Sequence, residues 1–156
     1  MTPAVKVLEK AGVHFRLVEY PHDPRAPAYG EEAAQALGLP ADEVYKTLIA
    51  RLDDARLAVA IVPVSGQLDL KALARAAGAR KAVMADADEA ERATGYVLGG
   101  ISPLGQKRRL PAFLDVSAEP RAAIHVSGGR RGLEIRLAPG DLKRLTGARL
   151  TSLTRG

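Results

Sequence analysis

Two apolar segments, Val44 to Leu52 and Arg56 to Val64, lie back to back with only Asp53-Asp54-Ala55 between them. Such runs joined by a short polar connection predict a β-hairpin. A second hairpin is expected where Ala122 to Ser127 and Leu133 to Leu137 flank the glycine-rich, dibasic turn Gly128-Gly129-Arg130-Arg131-Gly132. Val13, Phe15 and Leu17 alternate with His14 and Arg16, the pattern of a half-buried strand. Lys81 to Ala85 and Phe113 to Val116 read as further short strands, and Leu150 to Leu153 as a final edge strand.

The helices announce themselves at their ends. Thr2 is an N-cap with Pro3 at the first helical position, Val5, Leu8 and Ala11 keep helical spacing, and Gly12 is the stop. Glu31 to Leu37 is a short helix with acids in its first turn and Gly38 behind it. Asp69 caps Leu70 to Ala77 before Gly78, Asp86 opens a helix to about Thr94, and Pro139 starts a last helix to Leu145. Tyr20 to Pro27 is a proline-rich loop. Helices and hairpins mix without strict βαβ alternation, so the class is α+β around a largely antiparallel sheet or barrel. The 156 residues show no repeat, low-complexity tract or linker, and a single domain over 1–156 is expected.

Aromatic residues are only 4% of the chain, so the core must rest on Ala, Val, Leu and Ile. No apolar run approaches the roughly 18 residues of a membrane span, and the first residues lack the apolar stretch of a secretory signal. A cytoplasmic location with no membrane partner is expected. Without cysteine there is no disulfide framework, no thiolate nucleophile and no zinc-ribbon spacing. His14, His22 and His125 are scattered, so neither metal nor cofactor is expected, and His22, in a loop, is the best placed of the three. The net charge of +5 favours an acidic partner, nucleic acid being the commonest.

The most distinctive stretch runs from Thr94 to Pro111, where the apolar Tyr96-Val97-Leu98 feeds into Gly99-Gly100-Ile101-Ser102-Pro103-Leu104-Gly105 and then Lys107-Arg108-Arg109. A strand ending in such a loop can aim several N–H groups at one oxygen or phosphate, with cations in support. The alternative is a tight turn with a solvated basic tail. Neither standard phosphate-loop spacing is present. Lys46 sits within Val44-Tyr45-Lys46-Thr47-Leu48-Ile49, where alternation puts it with Val44 and Leu48. It is either at a ligand site or snorkelling from a sheet edge. Ser65, Ser102 and Ser127 lack the Gly-x-Ser-x-Gly elbow. Asp86, Asp88, Glu89 and Glu91 are most simply the wet N-terminal face of a helix. A lysine and two glycine-rich loops suit stabilisation of a carbonyl or phosphate, with a nucleophile drawn from water or substrate.

The N-terminal Met1 to Val5, Val44-Tyr45-Lys46-Thr47-Leu48, Gly66 to Lys71, Thr94 to Pro111 and Val126 to Leu133 together resemble the YbaK family of bacterial aminoacyl-tRNA deacylases. That family is related to the editing domain of prolyl-tRNA synthetases, and the resemblance runs from end to end. Gly99 to Lys107 is its most specific motif, and the likeness is greatest to the Cys-tRNA(Pro) deacylase branch. The resemblance implies a mixed sheet rolled into a barrel with surrounding helices, and a pocket for an aminoacylated terminal adenosine. It implies that Lys46 is the key functional lysine, that Gly99, Gly100, Ser102 and Pro103 form the loop facing the ester carbonyl, that Tyr20 and Thr47 line the pocket, and that Ser127 and Gly128 form its opposite wall. Glu134 falls where relatives vary and is left outside the expected site. In this branch the substrate's own thiol attacks its ester. The implied partners are the acceptor end of aminoacylated tRNA, met by Arg108, Arg109, Arg130 and Arg131, and prolyl-tRNA synthetase. The alternatives are a deacylase for an Ala or Ser ester and a non-catalytic module that binds nucleotide or tRNA ends.

Overall fold

The computed structural model describes residues 1–25 and 31–155. The Ala26-Pro27 end of the expected proline-rich loop lies outside the described residues. Helix α1 spans Pro3–Ala11: the Thr2 hydroxyl accepts the Val5 N–H at 3.4 Å, and Gly12, at φ 70°, returns its N–H to Leu8 and Glu9. Strand β1 is Phe15–Glu19 and α2 is Glu31–Leu37. The central hairpin is β2, Tyr45–Leu52, against β3, Leu57–Pro63, in antiparallel register from Tyr45↔Pro63 to Arg51↔Leu57. Its turn is held by Asp54, whose carboxylate accepts the Arg56 N–H at 3.1 Å. There follow β4 (Gln67–Leu68), α3 (Leu70–Ala76), β5 (Ala82–Met84) and α4 (Ala87–Thr94). The chain closes with β6 (Ala112–Asp115), β7 (Ile124–Ser127), β8 (Leu133–Leu137), α5 (Pro139–Thr146), β9 (Arg149–Thr151) and β10 (Thr154–Arg155).

All seven residues of β3 are buried, which explains why its sequence shows no polar alternation. Leu57, Val59 and Ile61 face the main core with Leu8, Tyr96, Leu104, Val126, Ile135 and Leu142. Ala58, Ala60 and Val62 face a second core with Leu73, Ala74, Phe113 and Leu153. The central sheet is therefore covered on both sides, and the small side chains on one face let α3 approach closely.

The expected barrel is not formed. The strands divide among a five-stranded sheet in the order β5-β2-β3-β6-β9, a three-stranded sheet β1-β8-β7 and the pair β10-β4, and none of them closes. Pairing is mixed, since β3–β6 and β6–β9 are parallel. Closure fails because β5 pairs only with Ala50, Arg51 and Leu52, so among the described residues no strand runs along the outer side of the first half of β2. The two larger sheets meet there through a single parallel bridge, Val44↔His125.

Two local expectations also change. Tyr96 to Leu98 is not a strand: Gly95, at φ 81°, ends α4, the Tyr96 hydroxyl turns inward to donate to the Leu104 carbonyl at 2.7 Å, and Val97 is 74% exposed. In β1, Leu17 is 47% exposed, and of this edge strand only Phe15 packs against the main core. Truncating Ile61, fully buried on β3, is expected to lower unfolding free energy by about 2–5 kcal/mol. Val97→Ala should stay within about 0.5 kcal/mol of the parent. Urea unfolding of both variants checks the pair.

Candidate functional site

The seam left by the unclosed sheets holds a small, partly open cleft lined by Tyr20, Tyr45, Lys46, Thr47, Gly99, Ile101, Ser127, Arg130 and Glu134. Four elements supply it: the end of β1, the unpaired half of β2, the loop after α4 and the β7–β8 hairpin.

Lys46 pairs through its backbone with Val62 of β3, and its side chain is half-buried on the lip between this cleft and a wider one bordered by Glu31, Ser65, Gly66 and Arg155. Burial pushes its ammonium below the ordinary lysine value, with Glu31 pulling the other way. The two sequence readings of Lys46 thus coincide: it stands at a locally free sheet edge and it borders a cleft. Thr47 is 8% exposed and its hydroxyl has no hydrogen-bond partner. Glu134 is 4% exposed with Oε1 equally unpartnered, and burial raises its carboxyl to about 8. Buried polar atoms are normally satisfied, so two such orphans on one cleft make it the candidate ligand site.

The walls are joined by glycine. A Cβ on Gly100 would lie 2.8 Å from Arg130 Cα, and the Gly100 carbonyl accepts the Ser127 hydroxyl at 3.1 Å. Gly99 bends the loop at φ 90°. Gly128 receives the Thr2 hydroxyl on its carbonyl, and a Cβ there would strike Leu133. Tyr20 donates its N–H to the Gly132 carbonyl at 3.0 Å. Its phenol is raised by burial, which the Gly132 backbone and Arg131 oppose. Behind this wall the Glu32 carboxylate gathers His22 Nδ1 at 2.8 Å, the Asp23 N–H at 2.7 Å and Arg131 at 3.7 Å. Burial disfavours its charge, yet these partners outweigh that and hold its carboxyl below the ordinary value.

Of the expected site residues, the structure brings Tyr20, Lys46, Thr47, Gly99 and Ser127 together. Gly100 and Gly128 are buried behind the lining, where they let the two loops touch. Ser102 is fully buried, and its hydroxyl accepts the Leu104 N–H at 3.2 Å within the loop. Pro103 borders a separate, open cleft of about 300 Å³ with Arg108 and Arg109. The cations nearest the first cleft are therefore Lys46 and Arg130, not the Lys107 to Arg109 run. Glu134, Tyr45 and Ile101 join the lining without having been expected there. In Leu133-Glu134-Ile135-Arg136-Leu137, alternation puts Glu134 on the same polar face as the exposed Arg136, so nothing local separates the two. His22 serves Glu32, and among the described residues no group of three or more His, Cys, Asp or Glu could hold a metal. No helix among the described residues is long and apolar enough to cross a membrane.

Similar proteins identify the family. Residues 23–145 match the aminoacyl-tRNA editing domain family. A protein of Enterococcus faecalis, named as a candidate Cys-tRNA(Pro)/Cys-tRNA(Cys) deacylase, is 34% identical over 98% of this chain and 93% of its own. A proline–tRNA ligase of Shouchella clausii is 32% identical over 70% of this chain, which spans only 19% of the ligase. A crystal structure described as a candidate trans-editing enzyme for prolyl tRNA synthetase superposes with a TM-score of 0.85 at 29% identity, covering 100% of this chain and 99% of that one. With 123 of its residues matched by the family and its fold shared end to end, the chain belongs to the aminoacyl-tRNA editing domain family.

Proposed function

We propose that this chain is a trans-editing enzyme that removes cysteine from mischarged tRNA(Pro), with Cys-tRNA(Cys) as a second ester of the same acyl group. The observation that carries the reading is the chemistry of the cleft. A half-buried lysine and an unpartnered threonine hydroxyl stand beside a glycine loop. The Ser127 hydroxyl donates to the Gly100 carbonyl, and the Tyr45 hydroxyl bonds Ser117 at 2.7 Å and lies beside Arg121, a permanent cation that cannot serve as a base, so none of the described cleft hydroxyls is paired with a general base. Such a site stabilises charge better than it makes a nucleophile.

A cysteinyl ester brings its own. The substrate sulfur bonds to its carbonyl carbon as the ester C–O bond breaks, and the thiol proton passes to the leaving ribose oxygen. Water then opens the thiolactone to free cysteine. The protein orients the acyl group, excludes bulk water and offers the Lys46 cation to the developing oxyanion or the neighbouring phosphate. The choice of ester rests on the name of the Enterococcus faecalis relative and on the resemblance to the Cys-tRNA(Pro) branch. The ligase similarity supports prolyl-tRNA synthetase as the partner that delivers tRNA(Pro). Exposed Arg108, Arg109 and Arg130 meet tRNA phosphates without reading sequence.

Release of labelled amino acid from Cys-, Ala- and Pro-tRNA(Pro) tests the assignment. Cysteine is expected to be released and proline spared, while Lys46→Ala should lose at least ~100-fold in kcat/KM with its thermal midpoint intact. Preference for alanine would move the ester, and no release from any of the three would leave a binding module. A second variant, Gly100→Ala, drives a methyl group into Arg130 backbone that cannot swing aside. It is expected to cost about 1–3 kcal/mol of stability and at least ~10-fold in kcat/KM, read by urea unfolding and the same release assay.

A further inference from the structure

We propose that Glu134 reads the α-ammonium group of the aminoacyl ester, so that the substrate enters with its amino group against β8 and its ribose and phosphate toward Lys46. This rests on the reading of the cleft as an aminoacyl-tRNA site, and it adds a residue that the sequence motifs had excluded.

The placement carries the proposal. Glu134 is the middle residue of three paired strands, opposite Val18 on one side and Ser127 on the other. Its backbone is therefore fixed from both edges. Its side chain borders the cleft, is 4% exposed, and leaves Oε1 without a partner. The nearby cations do not answer it: Lys46 and Arg130 line the same cleft, yet neither forms an ion pair with Glu134, and Arg130 instead lies 3.9 Å from Glu19. An acid buried without a counter-ion is costly unless it stays neutral or a ligand supplies the charge. An aminoacyl ester supplies one cation next to the reacting carbonyl, and the phosphodiester supplies anions on the nucleotide side. Acid on β8 and lysine on β2 match that polarity.

Proton affinities support the match. The carboxyl at about 8 is close to the value of roughly 7.7–8.0 for an α-amino group. Neither partner therefore has to hold an isolated charge before they meet. The titratable or charged groups bordering this cleft are Tyr20 after β1, Tyr45 and Lys46 on β2, and Arg130 in the turn, with Arg131 and Glu32 of α2 near Tyr20, while His125, Arg136 and Arg16 lie further along the same face of the sheet. Among the described residues no cation is paired with the orphaned oxygen, and the substrate amine is a cation that can meet it.

A stable amide analogue, 3′-(L-cysteinylamino)-3′-deoxyadenosine, and its N-acetyl counterpart separate this idea from the activity. Calorimetry on the whole protein is expected to show the free amine binding ~10- to 100-fold more tightly than the N-acetyl form. Glu134→Gln, nearly isosteric, should keep the thermal midpoint but bring the two analogues within about threefold, while Glu134→Asp recovers part of the difference. Equal loss for both analogues in Glu134→Gln, or discrimination that survives it, would overturn the proposal even if cysteine is still released from tRNA. Amine discrimination lost in Glu134→Gln but no turnover by the parent would retain the ammonium site and sink the hydrolytic reading instead. Absence of binding by either analogue would remove both.

Discussion

Gly100 and Arg130 meet backbone to backbone, and the walls of the cleft are set by that approach. With no room for even a methyl group between them, the loop after α4 lies directly on the β7–β8 turn, and the Ser127 hydroxyl fastens it there. The same turn is gripped from behind, where Thr2 caps α1 and also donates to Gly128, and where the Tyr96 ring lies against Gly129. Ser127 is the register partner of Glu134, and Glu134 that of Val18, so the contact propagates through β8 into β1 and reaches Tyr20. Both walls are thereby positioned by contacts between rigid elements, which is what a site needs if its groups are to be held in place.

The floor has a different origin. Because β3 is buried on both faces, it fixes β2 as a rigid neighbour, while β5 reaches only the far end of β2. Lys46 and Thr47 consequently stand on a strand that is well anchored on one side and free on the other. Leaving the Thr47 hydroxyl and a Glu134 oxygen buried without partners costs on the order of 1–3 kcal/mol for each. Two apolar cores, built as the composition requires from Ala, Val, Leu and Ile, offset that loss. Local rules broken in the middle of an otherwise consistent fold are the mark of a functional site.

What the sequence made legible was local. Thr2, Gly12, Asp69 and Asp86 act on N–H or C=O groups within a few residues, so the helix ends follow from neighbours in the chain. The two hairpins are equally short-range. Barrel closure depends on strands far apart in sequence finding each other, and no local pattern reports that β5 stops after three pairs. Glu134 illustrates the same limit: its polar alternation matches that of Arg136, and only the tertiary placement of the cleft buries one and exposes the other. Lys46 and the Gly99 loop stood out by local pattern, Tyr20, Thr47 and Ser127 through family resemblance, and folding brings all five into one cleft. Ser102 and Pro103 belong to the same motif yet sit off that cleft, where Ser102 serves the packing of the loop itself.

Burial acts in opposite directions on the two ionisable groups at the heart of the cleft, lowering Lys46 and raising Glu134. Each is moved toward its neutral form, so the empty cleft resists ionisation more than its residue types suggest. A ligand with an ammonium at one end and a phosphate at the other restores both charges with their counter-ions already in place. The free amino acid released by hydrolysis keeps the ammonium but loses its link to the phosphate and gains a carboxylate of its own. It can no longer span the acid and the lysine in the way the ester does. On the proposed reading, a polarity that holds the ester across the cleft disfavours the product at the same time.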